Sequence, residues 1–384
     1  MNSPSTVSGQ TQDGMGNISG SSPESVKRYN LEKRILSVSS FILEVILLLA
    51  LLFFNFSSQI RKFCLNISSS HWMVVLLYFI LIGIIAEVLS LPFGFYSGFV
   101  LEHRYKLSNQ SFAEWVLDEL KGIGVGAFLG IFLGEILYFL LREYPPNWWI
   151  IGGIFFSLFT VIMANLAPVL LMPIFFNFKP MDDDDLKNRL LALAAKGRTK
   201  IKGVYEMDLS RKSRTANAAL TGLGNTRRII VSDTMLKNYT KDEIEVVLAH
   251  ELGHHLGNHL LKGIIFKAVL IFLSFFTVDL ALKRWVIYFG YYGISDVASF
   301  PLLILVMMGV SLIALPASNS FTRRLEKFAD RKAIELTSNT ESFISAMEKL
   351  AIQNLADKDP NPVIEFIFFS HPSIKKRIEF ARNF

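Results

Sequence analysis

The sequence has little charge, almost no cysteine and no internal repeat. Asp, Glu, Lys and Arg make up only 19% of its 384 residues, against about 25% in soluble globular chains. A single cysteine, Cys64, excludes an internal disulfide framework. The net charge is +6, but no basic run interleaved with aromatics occurs, so nucleic acid is not an expected partner. Apolar residues dominate instead, at 51% of the chain, with 33 Phe among them. A bilayer core of about 30 Å demands about 20 apolar residues from a helix rising about 1.5 Å per residue. Six stretches qualify: 35–56, 72–93, 122–141, 148–172, 260–282 and 298–318. The expectation is a mainly α, polytopic membrane protein with about six transmembrane helices, in contact with a lipid bilayer.

Outside those stretches, 178–259 and 319–384 supply 82 and 66 residues, together the size of one ordinary domain. A single domain split by a helical hairpin is expected. The division reads as a disordered tail at 1–34, four spans within 35–177, the first part of the split domain at 178–259, the hairpin at 260–318 and the second part of the split domain at 319–384. Residues 1–24 are rich in Ser, Gly, Asn and Thr, which bury too little surface to order a chain. Counted from the N-terminus, the segments on that side carry 4, 3, 14 and 11 Lys and Arg, and those on the other side 2, 1 and 2. The short segments alone give 7 against 5. Positive-inside then places both termini and the split domain in the cytoplasm, at a bacterial inner membrane or, in a eukaryote, at the endoplasmic reticulum.

Between 178 and 259 the pattern is α+β. Leu186–Ala195 reads as a helix, with Asp182–Asp185 a capping acidic turn rather than a metal site. Residues 203–210 and 227–233 read as strands, with 214–224 a strand or loop between them, giving a small β-sheet. Residues 240–259 form a helix opened by a Thr240 and Glu243 capping box and a Tyr239 and Ile244 staple.

That helix contains His250, Glu251 and His254 as HExxH. Positions i and i+4 share one helix face about 6 Å apart, so two imidazoles can grip one metal ion. Glu251, about 100° round the helix, can reach a water at the metal's open position. HExxH also arises by chance, so other residues must decide. Four of the seven histidines fall within 250–259, with glycines at 253 and 257 that permit close approach of other backbone. His255 and His259 point elsewhere on the helical wheel. A catalytic zinc needs a third protein ligand and keeps its fourth position for water. The tenth position after His250 is Leu260, so a nearby third histidine is out of register. After the hairpin, "TRRLEKFADRKA" offers Glu326 to complete a His, His, Glu site. Asp330, one turn on, is placed to accept the free ring NH of a ligating histidine.

"VLAHELGHHLGNH", "TRRLEKFAD", "NAALTGLGNTRRIIVSDTML", "LPFGFYSGFVLEHRYKLSNQS" and "FSHPSIKKRIEFA" together resemble the type I CAAX prenyl protease family of integral-membrane zinc metalloproteases. The resemblance runs from about residue 85 to the C-terminus. It implies one Zn2+ held by His250, His254 and Glu326, with Glu251 as general base. Asn217 and His371 would by the same carry-over stabilise the oxyanion, and the strand around Asn217 would hold the substrate by β-augmentation. Substrates would be peptides or proteins, and where proteins are prenylated the family removes the last three residues of CAAX proteins. Two departures stand out. Ala219 occupies a position that is commonly Tyr in the family, and six spans are counted where seven are common. The rival readings are an HtpX-like membrane quality-control protease, a site-two intramembrane protease with Asp279 as a poorly matched ligand, and a catalytically silent membrane scaffold.

Glu44, Glu87, Glu135, Lys267 and Asp279 fall within or near apolar runs, where a mid-bilayer charge costs at least about 2.5 kcal/mol. They are expected to face a water-filled cavity or, alternatively, to pair between helices or snorkel.

Overall fold

The computed structural model describes residues 22–222 and 227–384. Among them, six helices are long and apolar enough to cross a membrane. The first four segments comprise α1 (Pro23–Phe53), α3 (His71–Phe95) running on through α4 (Leu101–Arg104), α5 (Phe112–Glu143), and α6 (Trp148–Leu166) continuing into α7 (Met172–Phe175). The short amphipathic α2 (Phe56–Ile67) lies between the first two. Side chains such as Ile42 and Ile46 on α1 and Ile154 and Leu158 on α6 stay exposed, as lipid-facing residues do.

Two expected boundaries move. The tail expected at 1–34 ends earlier, because α1 already begins at Pro23; residues 1–21 lie outside the described part. Ser22 caps it by accepting from Ser25 N at 3.2 Å, and proline suits the first helical position. Tyr29 is buried with Leu101, Leu107 and Leu355 in a small satellite core, a long-range partnership that local composition does not reveal. The second boundary is that at 318–319. Here α12 (Phe300–Thr337) runs unbroken past it, so Glu326 stands on the continuation of a membrane helix.

The remaining chain packs around one small sheet. β1 (Phe178–Pro180), β2 (Gly203–Met207), β3 (Ala218–Thr221) and β4 (Arg228–Ser232) lie in the order β1-β2-β4-β3. β2 and β4 are parallel, while β1 and β3 pair antiparallel at the two edges. β1 has only three residues and ends in proline, so it offers no alternating pattern to read. The end of the 214–224 segment falls on residues outside the described part.

Against the sheet lie α8 (Asp184–Lys196), α9 (Asp233–Asn238) and α10 (Lys241–Leu256), with α13 (Thr340–Gln353) packed on α10. Their shared core includes Leu190, Val204, Ile229, Leu248 and Phe343. Asp183 caps α8 by accepting from Leu186 N at 3.0 Å. α10 carries a complete capping box: Thr240 Oγ1 accepts from Glu243 N at 3.2 Å, and Glu243 Oε2 accepts from Thr240 N at 2.7 Å. The same carboxylate accepts a hydrogen bond from Lys349 Nζ at 2.7 Å, tying α13 to the start of α10. The chain closes with α14 (Pro362–Phe368) and α15 (Ile374–Arg382), after α11 (His259–Trp285) and α12 have formed the hairpin.

The intramembrane charges differ in their surroundings. Asp279 pairs, accepting from Trp148 Nε1 at 2.8 Å and from Lys283 Nζ at 2.7 Å. Glu44 and Glu87 line a cavity of about 790 Å³ bounded by α1, α3 and α5. Lys267 lines another of about 680 Å³ among α5, α6, α11 and α12. Glu135 is half-buried on α5.

Candidate metal centre

The site forms where α10 crosses α12. Gly253 has no side chain to hold the helices apart: a Cβ there would lie 2.8 Å from Ala329 Cα. This crossing faces His250 and His254 of α10 towards Glu326 of α12. His250 Nε2 and His254 Nε2 lie 3.1 Å apart. Glu326 Oε2 is 3.3 Å from His250 Nε2, and Oε1 is 3.3 Å from His254 Nε2. One ligand atom from each residue falls within 4.8 Å of the others.

These residues fit a divalent metal. Two imidazole nitrogens that point at each other and at a carboxylate share one focus, which is the donor set of a His, His, Glu zinc site with one position left for water. Glu326 Oε2 is buried and, among the described residues, makes no hydrogen bond, with His250 Nε2 at 3.3 Å outside hydrogen-bond geometry. An unpartnered buried carboxylate oxygen is costly, and a cation at the focus resolves it.

Around the ligands, Asp330 Oδ1 lies 2.8 Å from His250 Nδ1. Arg377 of α15 donates to the same carboxylate, Nε to Oδ2 at 2.9 Å and Nη2 to Oδ1 at 2.5 Å. Sequence reasoning quoted Arg377 within the "FSHPSIKKRIEFA" motif without giving it a part. Its only signal was its place in that motif, since its carboxylate partner lies 47 residues away. Burial works against charge on His250, but Asp330 and Glu326 outweigh it and raise the imidazole to about 9 in the metal-free site.

Glu251 is half-buried on α10 next to His250. His371, just before α15, has Nε2 3.3 Å from Glu326 Oε1, and its Nδ1 is 2.9 Å from Ser370 Oγ. Desolvation is the largest influence on its pKa, with Glu326 opposing and Arg377 assisting, and the net effect lowers it and favours the neutral ring. Asn217 is exposed and immediately precedes β3, the sheet edge that packs beside α10. Ser232 Oγ accepts from Asn217 N at 3.0 Å, and Ser232 N donates to Asn217 O at 2.9 Å. Backbone just upstream is pinned too: Gln353 Nε2 donates to Arg214 O at 2.6 Å, and Asn354 Oδ1 accepts from Ala216 N at 3.1 Å.

The wheel reading of His259 is corrected. The chain turns sharply at Asn258, whose φ is +51°, and this starts α11 with its first side chain folded back. His259 Nδ1 lies 2.9 Å from His254 Nδ1. A wheel extended through residue 259 assumes one continuous helix, and the helix breaks at 257–258. His255 stays half-buried, its imidazole pKa lowered by burial and by the nearby charge of Arg227.

Residues 180–384, more than half of the chain, match the model of peptidase family M48. The chain belongs to peptidase family M48. Residues 14–177 match a second model, the CAAX prenyl protease N-terminal family of five membrane helices; in this M48 protein four long apolar segments occupy that region among the described residues. The chain is 27% identical over 384 residues to the uncharacterized metalloprotease YhfN of Bacillus subtilis (strain 168), covering 99% of this chain and 90% of that one. It is 27% identical over 321 residues to CAAX prenyl protease 1 of Saccharomyces cerevisiae, covering 78% and 70% of the two chains. The crystal structure of S. mikatae Ste24p shares the fold, with a TM-score of 0.85 at 23% identity over 94% of this chain and 88% of that one. This M48 protein is therefore a multi-pass membrane metalloprotease resembling the CAAX prenyl proteases, with a metal cofactor and a peptide or protein substrate. The HtpX-like and scaffold readings are not favoured.

Proposed function

We propose that the protein is a zinc endopeptidase that removes the C-terminal tripeptide of prenylated CAAX proteins, with its catalytic part facing the cytoplasm. The supporting observation is the shared focus of His250 Nε2, His254 Nε2 and the unpartnered Glu326 Oε2 in a chain of the M48 family. A zinc ion there would supply Lewis acidity, making a water acidic enough to lose a proton near neutral pH and polarising the scissile carbonyl.

The chain's own residues would do the rest. Glu251 takes the proton from the attacking water and passes it to the leaving amine. The neutral His371 ring and the Asn217 side-chain amide donate to the oxyanion that develops on the carbonyl carbon's oxygen. The substrate's extended backbone adds to β3, which is paired to β4 on one side only, a mode in which main-chain hydrogen bonds set the register. Ala219 in that strand leaves more room beside the substrate than the Tyr common in the family. The cytoplasmic orientation rests on the Lys and Arg distribution.

The test is cleavage of a farnesylated CAAX peptide beside its unprenylated twin by purified protein, with and without chelator and with Glu251→Gln as control. Chelator-sensitive cleavage that favours the farnesylated peptide is expected. Equal cleavage of both would contradict the prenyl-specific part while leaving a zinc peptidase.

A further inference from the structure

We infer that His259 is a positioning residue for the metal: its Nδ1 accepts a hydrogen bond from His254 Nδ1–H and so fixes the tautomer and rotation of that ligand. The inference rests on the metal site proposed above, and nothing in the family comparison assigns His259 a part.

Chemistry fixes the direction of the bond. For His254 to offer the Nε2 lone pair to an ion, its single ring proton must sit on Nδ1. The partner 2.9 Å from that nitrogen is His259 Nδ1, which must then be unprotonated, with the His259 proton on Nε2. The two ligating histidines are thus oriented in different ways. His250 is held by a carboxylate, Asp330 Oδ1, 2.8 Å from its Nδ1, whereas His254 is held by a neutral imidazole. A carboxylate partner raises ligand basicity, so the two histidines would offer a bound ion unlike donors.

The place for His259 is built. Asn258 in the left-handed region turns the chain so that the first side chain of α11 points back at α10. The ring then occupies the space over Gly257, where a Cβ would fall 2.2 Å from His259 Nε2. Its edge packs on Phe328 of α12, with ring centroids 5.2 Å apart, and the residue is only 6% exposed. Three independent features therefore hold one rotamer: a left-handed turn, a missing side chain and an aromatic wall. Phe328 is two residues from Glu326.

The experiment compares wild type, His259→Leu, His259→Gln and Gly257→Ala as purified full-length protein. Zinc affinity is read by chelator competition, and the cobalt-substituted protein is read by its visible absorption. His259→Leu removes the acceptor, and a roughly 10- to 100-fold loss of zinc affinity is expected with an altered cobalt spectrum. His259→Gln restores an acceptor oxygen and should recover most of the affinity. Gly257→Ala keeps His259 but displaces it, so it should weaken zinc as His259→Leu does; this variant carries the test if His259→Leu does not fold. Wild-type affinity and an unchanged cobalt spectrum in both His259→Leu and Gly257→Ala would overturn the inference. So would equal losses in His259→Leu and His259→Gln, which would mark a packing role.

Discussion

Gly253 of α10 and Ala329 of α12 touch backbone to backbone, with a Cβ at Gly253 falling 2.8 Å from Ala329 Cα and 2.9 Å from its carbonyl oxygen. Gly253 precedes His254, and Ala329 follows Glu326 by three residues. This contact therefore sets the spacing between imidazoles and carboxylate. Gly253→Ala must push the helices apart, since the atoms met are backbone rather than a flexible side-chain end. Zinc affinity by chelator competition is expected to fall at least about tenfold, in the range seen when ligand-orienting groups are lost. Unchanged affinity would show that the crossing does not set the site.

Arg377 and Asp330 form a buried pair at the back of His250. Arg377→Leu would leave the buried Asp330 carboxylate with the His250 ring as its remaining partner, and breaking such a pair typically costs about 3–5 kcal/mol. A drop in thermal midpoint of the metal-free protein is the readout. A midpoint equal to wild type would mean that solvent or another cation already serves Asp330.

The pH response of the metal-free protein follows from His250. Its folded pKa of about 9 lies above the usual 6.5, so between these values the native state binds more protons than the unfolded state. Stability from this group is fully present below about pH 6.5 and is lost as pH rises towards about 9, on the order of 3 kcal/mol in all. Melting of the metal-free protein should therefore weaken from pH 6.5 to 9, and His250→Gln should flatten the trend. Zinc reverses the sign, because the ligating ring must be neutral and low pH then favours release. A metal-free wild type with the same slope as His250→Gln would contradict this.

Glu243 has a different part, outside the metal centre. It caps α10 and holds Lys349, and the net of burial against these partners lowers its pKa. Its contribution is present above its unfolded pKa and is lost as pH falls through the lowered folded value. Glu243→Ala should destabilise the protein by about 2–4 kcal/mol near neutral pH. The difference from wild type should shrink in acid, as measured by denaturant melts at several pH values.

Much of this was legible in the sequence for a physical reason: spans announce themselves by length and apolarity, and HExxH places two imidazoles by helix geometry alone. The capping box at Thr240 and Glu243 is likewise local, and both halves of it form. What escaped depends on partners distant in sequence. Tyr29 orders the start of α1 only because Leu101, Leu107 and Leu355 come to meet it. Arg377 reaches Asp330 across 47 residues, and no periodicity encodes that. His259 was misplaced because the left-handed Asn258 ends one helix and begins another within two residues, which a helical wheel cannot represent. β1 spans only three residues, too few to show an alternating pattern.

We propose that His250, His254 and Glu326 hold the metal while Glu251 moves the proton. The most direct measurement is zinc content and peptide turnover, side by side, in wild type, Glu251→Gln and His254→Ala. The expected result is one zinc per chain in wild type and Glu251→Gln, with turnover lost in Glu251→Gln by at least about 100-fold, and both zinc and turnover lost in His254→Ala. A Glu251→Gln protein that cleaves at the wild-type rate, or a His254→Ala protein that keeps its zinc, would contradict it.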